Sequence, residues 1–333
     1  MRIGVIGTGA VGGTIAALLD RAGNDVEVTA RGKQLTVIGK QGLHLRGAWG
    51  EHTAYVEASE TLRRVPELVF VCTKAQDAAS AISANSELIN GAPVVVVQNG
   101  LSGLAEASAL LPNSDCVGAL AVFAASYLTP GEITVTAQGT IYLGAGTGEP
   151  GVPVIFATRV LEAAMPAIAT SNFVGAQWTK LMVNQVNAMP AITGLSAQET
   201  LGDRRLRRII TSSIREATRI GSASGVTFGR IQGLGNGLLR ALSLAPLWIG
   251  QLVPLLMKSR MGATPNPGST LQSLRRGQLT EIDYLNGAVV EQAVMLGLTA
   301  PINAELVRLV HEVERTHEYF TPDAVVERMR SVA

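Results

Sequence analysis

The first thirteen residues, MRIGVIGTGAVGG, constrain the fold more than any other stretch of the chain. An apolar run from Ile3 to Ile6 leads directly into Gly7, Gly9 and Gly12, the G-x-G-x-x-G spacing of a dinucleotide-binding βα turn. Gly7 permits the tight turn, Gly9 lets backbone approach a pyrophosphate, and Gly12 lets the next helix lie close to the strand. That helix is expected from Ala10 to about Arg21, on the periodicity of Val11, Ile15, Leu18 and Leu19. Its amino end, with the backbone of Thr8, Ala10 and Val11, points free N–H groups and the positive end of the helix dipole toward bound phosphate. Glycine-rich turns are common in isolation; here a strand precedes, a helix follows, and a second strand comes next at Asp25 to Thr29.

A chain of 333 residues with 47% hydrophobic side chains has material for two cores. Its formal net charge is +1, and no basic stripe interleaved with aromatics runs through it, so it lacks the electrostatic footprint of a nucleic-acid binder. The one dense basic run, Arg204-Arg205-Arg207-Arg208, reads as a solvated helix face. Cys72 and Cys116 each lie in apolar strand-like runs, which suits buried thiols in a reducing cytoplasm and rules out a disulfide framework. No charged-then-apolar leader precedes the first strand, so secretion is not expected. The most membrane-like segment, Leu238 to Met257, carries Arg240 and is interrupted by Pro246 and Pro254, which argues against a spanning helix and a membrane partner. No metal-ligand cluster is expected.

An acidic residue about twenty positions past the glycine loop would hydrogen-bond the ribose 2′-hydroxyl of NAD. Here the second strand ends Thr29-Ala30-Arg31, and an arginine at that place favours a 2′-phosphate, hence NADP(H). Two observations stand against this: Arg31 also suits an ordinary surface turn, and Glu27 sits earlier in the same strand. Residues 43–57 alternate weakly, as two short strands would. Buried parallel strands are expected at Leu68–Cys72, ending in Thr73-Lys74-Ala75-Gln76-Asp77, and at Val94–Val97, ending in Gln98-Asn99-Gly100, with a helix over Leu101–Leu111 after the second. Lys74, Gln76 and Asn99 thus fall at carboxyl ends of parallel strands, where doubly wound sheets bind ligands.

From Asp115 to Gly144, strands separated by Thr129-Pro130-Gly131 and Gln138-Gly139 suggest an antiparallel extension of the sheet. A helix over Pro153–Met165 and a strand near Ala169–Val174 close this part. Helical periodicity then dominates, over 176–189, 203–223, 246–259, 281–296, 302–318 and 322–331. The fold class is therefore α/β, an N-terminal Rossmann-type doubly wound sheet over 1–174 and a C-terminal all-helical domain over 175–333.

In the run QWTKLMVNQVNAMP, Lys180, Asn184 and Asn187 follow an i, i+4, i+7 spacing that places them on one helical face. A lysine with two amides on an otherwise apolar helix fits a stripe facing a polar cleft, and it also fits a buried structural network. Further on, Asn266-Pro267-Gly268-Ser269-Thr270 opens a segment in which Glu281 is expected to begin a long helix. There Glu281 is open to two readings, a first-turn capping charge or a catalytic carboxylate.

The blocks GTGAVG, Arg31, KAQD, QNG, WTKLMVN and NPGSTLQSLRRGQLTEIDYLNG, in this order over nearly the whole chain, resemble the ketopantoate reductase (2-dehydropantoate 2-reductase) family. The resemblance implies an NADP-binding Rossmann domain, a helical domain, and a substrate cleft between them. It also implies roles for individual residues. Gly7, Gly9 and Gly12 would hold the pyrophosphate, Arg31 the 2′-phosphate, and Lys74 and Gln76 other parts of the cofactor. Asn99 would lie between nicotinamide and substrate, Lys180 would act as general acid, and Asn184, Asn266, Ser269 and Glu281 would stand on the substrate side, Glu281 also serving catalysis. The family commonly carries an asparagine eight residues after the lysine, where this chain has Ala188; Asn187 sits one residue earlier. The expected function is NADPH-dependent reduction of ketopantoate. A reductase of another small 2-keto acid is the alternative, and a non-catalytic NADP-binding sensor a more distant one.

A second departure from the family is the apolar stretch 231–262. Leu238, Leu239, Leu242, Leu244, Leu247, Trp248, Ile249 and Leu252 exceed what a solvated loop carries. Two packed helices over the C-terminal domain are expected there, with a homodimer contact as the alternative use of that surface.

Overall fold

The computed structural model describes residues 1–261, 265–330 and 332, and the last residue of the stretch 231–262 lies outside them. The chain forms two compact units, Met1–Phe173 and Val174–Ala333. The first opens as the glycine loop dictates, with β1 (Arg2–Ile6), α1 (Ala10–Arg21), β2 (Asp25–Thr29) and α2 (Gly32–Gln41). Three short strands follow, β3 (Leu43–Gly47), β4 (His52–Ala54) and β5 (Glu57–Ser59). Then come β6 (Leu68–Val71), α3 (Ala75–Ile89), β7 (Val94–Val97), α4 (Gly103–Leu110) and β8 (Cys116–Ala121). The unit ends with β9 (Ala124–Thr129), β10 (Glu132–Ala137), β11 (Ile141–Gly144), α5 (Val152–Glu162) and β12 (Ala167–Ala169).

The main sheet runs β12-β11-β8-β7-β6-β1-β2-β5 and is parallel except where β11 meets β8. β6 and β7 are buried at every residue, as strands covered by helices on both faces must be. The chain reverses direction across the sheet at β1 and β6, so their carboxyl ends form the switch point where such sheets bind ligands.

The antiparallel extension expected over 115–144 is corrected in part. β8 and β11 belong to the main sheet, β11 antiparallel to β8; β9 and β10, which leave it after Ala121 and are joined through Gly131 (φ +78°), pair with β3 and β4 in a separate sheet of order β4-β3-β10-β9. The reason is α1: Gly13 and its neighbours leave room for Ile133 of β10, whose Cδ1 would stand 2.8 Å from a Cβ at Gly13. The second sheet therefore covers the outer side of that helix, together with buried Leu43, Leu45 and Val135. The last strand is also shorter and earlier than expected, because Phe173 already belongs to the next helix and fills space left by Gly118 and Gly144.

The second unit is helical. It contains α6 (Phe173–Asn184, entered from the first unit), α7 (Ala188–Thr193), α8 (Ala197–Gly202) and α9 (Arg204–Ala223). These are followed by α10 (Asn236–Leu244), α11 (Leu247–Gly250), α12 (Leu252–Arg260) and α13 (Gly268–Arg275). α14 (Asn286–Met295), α15 (Pro301–Thr316) and α16 (Pro322–Met329) complete it. α9 is central, burying Leu206, Ile210, Ile214, Ala217 and Ile220 on one stripe. Of its basic run, Arg204, Arg205 and Arg208 are exposed, as a solvated face requires, and Arg207 is half-buried. Asp203 caps the helix by accepting from the N–H groups of Arg205 and Leu206, Arg205 pairs with Asp203 and Asp323, and Arg207 reaches Gln251 and the Leu201 carbonyl. Among the described residues the stretch after 231 holds three short helices rather than two. Pro246 disfavours helical backbone at Ala245, which is extended (ψ 156°) and ends α10. Leu239 and Val253 are buried there, while Leu244 (86%) and Trp248 (70%) are exposed. Among the described residues no helix is long and apolar enough to cross a membrane.

Candidate active site

The glycine loop has the shape its sequence requires. Gly7 adopts φ +95°, and its N–H donates to Thr29 Oγ1 at 3.0 Å, tying the loop to the end of β2. Thr8 is buried, donates to the Thr29 carbonyl at 3.1 Å, and has its own carbonyl held by Gln34 Nε2 at 3.0 Å. A Cβ at Gly12 would overlap the Gly7 carbonyl oxygen and stand 2.7 Å from Cys72 Cβ, whereas one at Gly9 would meet nothing within 4 Å. Gly9 is thus the glycine that faces open space. No side chain caps α1, so the N–H groups of its first turn, at Ala10 and Val11, remain for an anion.

Around this loop stand the other residues expected to meet a cofactor. Lys74 is the residue before α3 and Gln76 lies in its first turn, both half-buried after β6. Asn99 is half-buried after β7, next to Gln98, whose Nε2 donates to the Thr73 carbonyl at 3.3 Å and so ties the two strand ends together. Arg31 precedes α2 at the end of β2, exposed, and among the described residues no hydrogen bond or ion pair holds its guanidinium. Glu27 is committed elsewhere: 4% exposed, it accepts from the N–H groups of Arg63 (2.5 Å) and Arg64 (3.3 Å). The open face at Gly9, the uncapped helix start and the unengaged arginine fit a dinucleotide.

In the second unit, Lys180 and Asn184 lie one turn apart on α6, Lys180 half-buried and Asn184 buried at 5% exposure. Burial pulls the Lys180 ammonium down to about 8, from an ordinary value of 10.5. The helical stripe is broken before Asn187, because residues Gln185–Asn187 form a 3-10 turn. Three residues at three per turn rotate Asn187 by about 60° relative to α-helical continuation. It faces α13 instead, where its Nδ2 donates to Ser269 Oγ at 3.4 Å and its Oδ1 would stand 2.8 Å from a Cβ at Gly268 (φ +70°). Asn266 shapes the same turn, accepting from the Gly268 N–H at 2.9 Å while Gln198 accepts from its own N–H at 2.9 Å. Ala188 is fully buried, so Asn187 is the half-buried amide of the pair of positions.

Glu281 does not begin a long helix. It stands at the N-cap of a 3-10 turn at Ile282–Tyr284 without a side-chain capping hydrogen bond, and α14 starts only at Asn286. The carboxylate that serves this segment is Glu314, which accepts from the Thr280 N–H at 2.7 Å.

Residues that the sequence reading passed over are four fully buried polar side chains, Gln185, Ser213, Asn286 and Asn303. A signal was present: Asn286 and Asn303 interrupt apolar helical faces, and buried amides require partners.

A family model described as ketopantoate reductase PanE/ApbA matches residues 3–148, and one for the C terminal of ketopantoate reductase PanE/ApbA matches residues 172–314. The 2-dehydropantoate 2-reductase of Pyrococcus horikoshii is 25% identical over 322 residues, covering 94% of this chain and 98% of that protein. The crystal structure of a PanE/ApbA family ketopantoate reductase from Ralstonia eutropha JMP134 is similar with a TM-score of 0.80 at 26% identity, over 95% of this chain and 99% of that one. D-mandelate dehydrogenase, solved as a ternary structure with NADH and anilino(oxo)acetate, shares the fold at a TM-score of 0.79 and 18% identity, over 95% and 99% of the two chains. With both halves matched and the glycine loop, α6 and the Asn266–Glu281 segment formed as described, the chain is an oxidoreductase that belongs to the ketopantoate reductase family.

Proposed function

We propose that this protein reduces 2-dehydropantoate to pantoate with NADPH, in the cytoplasm, and that Lys180 supplies the proton. The observation that carries the reading is Lys180 itself: a half-buried lysine whose ammonium is pulled to about 8 by burial, one turn before Asn184, in a chain of this family. An acid with that value is charged at neutral pH yet releases its proton readily, which is the compromise general acid catalysis favours.

The dinucleotide would be held by Gly7, Thr8, Gly9, Ala10, Val11 and Gly12 at the phosphates, by Arg31 at the 2′-phosphate, and by Lys74, Gln76 and Asn99 at the strand ends. Bound there, the reduced nicotinamide supplies a hydride to the 2-keto carbon. Lys180 stabilises the negative charge that grows on the keto oxygen and passes its proton to that atom. Ser269 and Asn266 receive the substrate carboxylate, Asn184 and Asn187 orient the carbonyl and its neighbours, and Glu281 holds the lysine or a substrate hydroxyl in place. Ser269 suits its role because it is exposed in the first turn of α13, where the helix dipole favours an anion.

Ala188 supports a second reading, a reductase for another small 2-keto acid, because the amide expected there is displaced to Asn187. Following NADPH and NADH consumption with a panel of 2-keto acids separates the two. Turnover of ketopantoate at the highest kcat/KM supports the first; faster turnover of another acid supports the second; absence of turnover with all of them would refute both and leave a cofactor-binding sensor.

A further inference from the structure

The interior of the helical unit contains a polar bridge where apolar packing would otherwise run. Gln185, Ser213, Asn286 and Asn303 are each fully buried. Asn286 Nδ2 donates to Gln185 Oε1 at 2.7 Å and to Asn303 Oδ1 at 2.9 Å. The Ser213 hydroxyl lies 2.7 Å from Gln185 Oε1 and 2.9 Å from Asn303 Oδ1, so its single proton serves one or the other. Asn303 Nδ2 donates to Glu216 Oε2 at 2.8 Å, and the Glu216 carboxylate also accepts from the N–H groups of Ile302 (3.0 Å) and Asn303 (2.9 Å) in the first turn of α15.

The bridge joins two places that matter to the site. Gln185 directly follows Asn184, at the point where α6 gives way to the 3-10 turn, and its Nε2 reaches back to the Leu181 carbonyl at 3.2 Å. The change of helix type is therefore held by the same side chain that receives Asn286. Asn286 in turn is the first residue of α14, five positions after Glu281, with Ile282 and Leu285 buried between them.

We propose that this bridge is a positioning unit for the reductase reaction: Gln185 and Asn286 fix the register between the segment bearing Lys180, Asn184 and Asn187 and the segment bearing Glu281. The inference rests on the reading of Lys180 and Glu281 given above. Burial alone does not account for the bridge, since methionine or leucine of similar volume would fill the same space and be no less favourable. What the amides add is direction, since their donors and acceptors must face one another in a medium where a misplaced partner is costly. Catalysis needs that: a displacement of about 1 Å remote from the reacting atoms lowers rates on the order of a hundredfold.

The test uses Gln185→Met and Asn286→Leu, each of which leaves the remaining bridge residues able to pair with one another. In folded variants kcat is expected to fall roughly ten- to a hundredfold, with KM for NADPH within about twofold of the parent. The pH at which Lys180 loses its proton, about 8 in the parent, is expected to rise toward the ordinary 10.5 as α6 loosens and water reaches the ammonium. That midpoint is readable without turnover, by NMR of carbon-labelled lysine, because Lys33, Lys40, Lys74, Lys180 and Lys258 are the only lysines and Lys180→Arg assigns the signal. Activity lost only in proportion to folded protein, with an unmoved Lys180 midpoint, would overturn the proposal. So would variants with parental kcat and midpoint. If Asn286→Leu does not fold, Gln185→Met decides alone. A parent chain that reduces no 2-keto acid refutes the proposed function instead, and the titration still reads the bridge.

Discussion

Gly7 and Gly12 touch so closely that a single methyl group at Gly12 would overlap the Gly7 carbonyl oxygen, with Cys72 Cβ 2.7 Å away on the other side. A backbone oxygen and the Cβ of the residue that follows β6 bound that space, and neither can swing aside as the end of a flexible side chain could. Gly12→Ala should cost about 1–3 kcal/mol through overpacking and lower Tm by several degrees. Gly9→Ala is its counterpart: nothing lies within 4 Å, and φ −73° suits any residue. That variant should melt within about 2 °C of the parent yet bind NADPH more weakly, because the methyl occupies the face offered to the pyrophosphate. Thermal unfolding and cofactor titration of the pair check both halves; a Gly9→Ala protein with parental NADPH affinity would remove the loop from the cofactor site.

Arg31 is exposed with a guanidinium that no described side chain engages, and Glu27 is turned to the backbone of Arg63 and Arg64. Cofactor choice is therefore predicted to depend on the arginine and not on the strand carboxylate. Arg31→Ala should weaken NADPH binding by about ten- to a hundredfold, as losing a charge-assisted contact of roughly 1.5–3 kcal/mol does, and leave NADH nearly unchanged. Equal losses for the two cofactors would show that Arg31 does not read the 2′-phosphate.

The strand–glycine–helix opening was legible because local chemistry decides it: three glycines at fixed spacing have few alternatives. The helical unit was legible for a similar reason, apolar periodicity. The second sheet was not, since β9 and β10 leave the main sheet to cover α1, a choice set by Gly13 meeting Ile133, residues 120 positions apart. The stripe Lys180-Asn184-Asn187 was legible only in its first two members. Its break depends on Gln185 finding Ser213 and Asn286, contacts between distant helices that no periodicity reports. Glu281 was misplaced onto a helix for the same cause, because the turn before α14 is stabilised by Glu314, far along the chain.

Ser269 and Asn187 are within hydrogen-bonding reach at 3.4 Å, long enough that a substrate carboxylate could replace the contact at little expense. Such binding is uniform between ground and transition states. Ser269→Ala is predicted to raise KM for the 2-keto acid by about three- to tenfold and leave kcat within about threefold. A variant with unchanged KM but a much lower kcat would move Ser269 from carboxylate binding to the chemical step.

Lys180 gives the most direct test of mechanism, through pH. Its ammonium must be protonated to donate, and burial lowers it to about 8, so reduction should proceed at a constant kcat/KM below that pH and fall about tenfold per unit above it. The sign for stability is opposite. A lysine that releases its proton earlier when folded than when unfolded makes the unfolded chain bind more protons between about 8 and 10.5, so this group contributes increasing stability as pH rises through that window. Lys180→Met removes the buried charge and should melt at or above the parent temperature at pH 7, while kcat falls by about 10²–10⁴ and NADPH affinity stays close to parental. Lys180→Arg keeps a cation that does not titrate below about 12, so any residual activity should lose the alkaline limb near 8. If Lys180→Met retains near-parental kcat with whichever 2-keto acid the parent turns over, or the alkaline limb survives in Lys180→Arg, the proton comes from another group and the mechanism proposed for this chain fails.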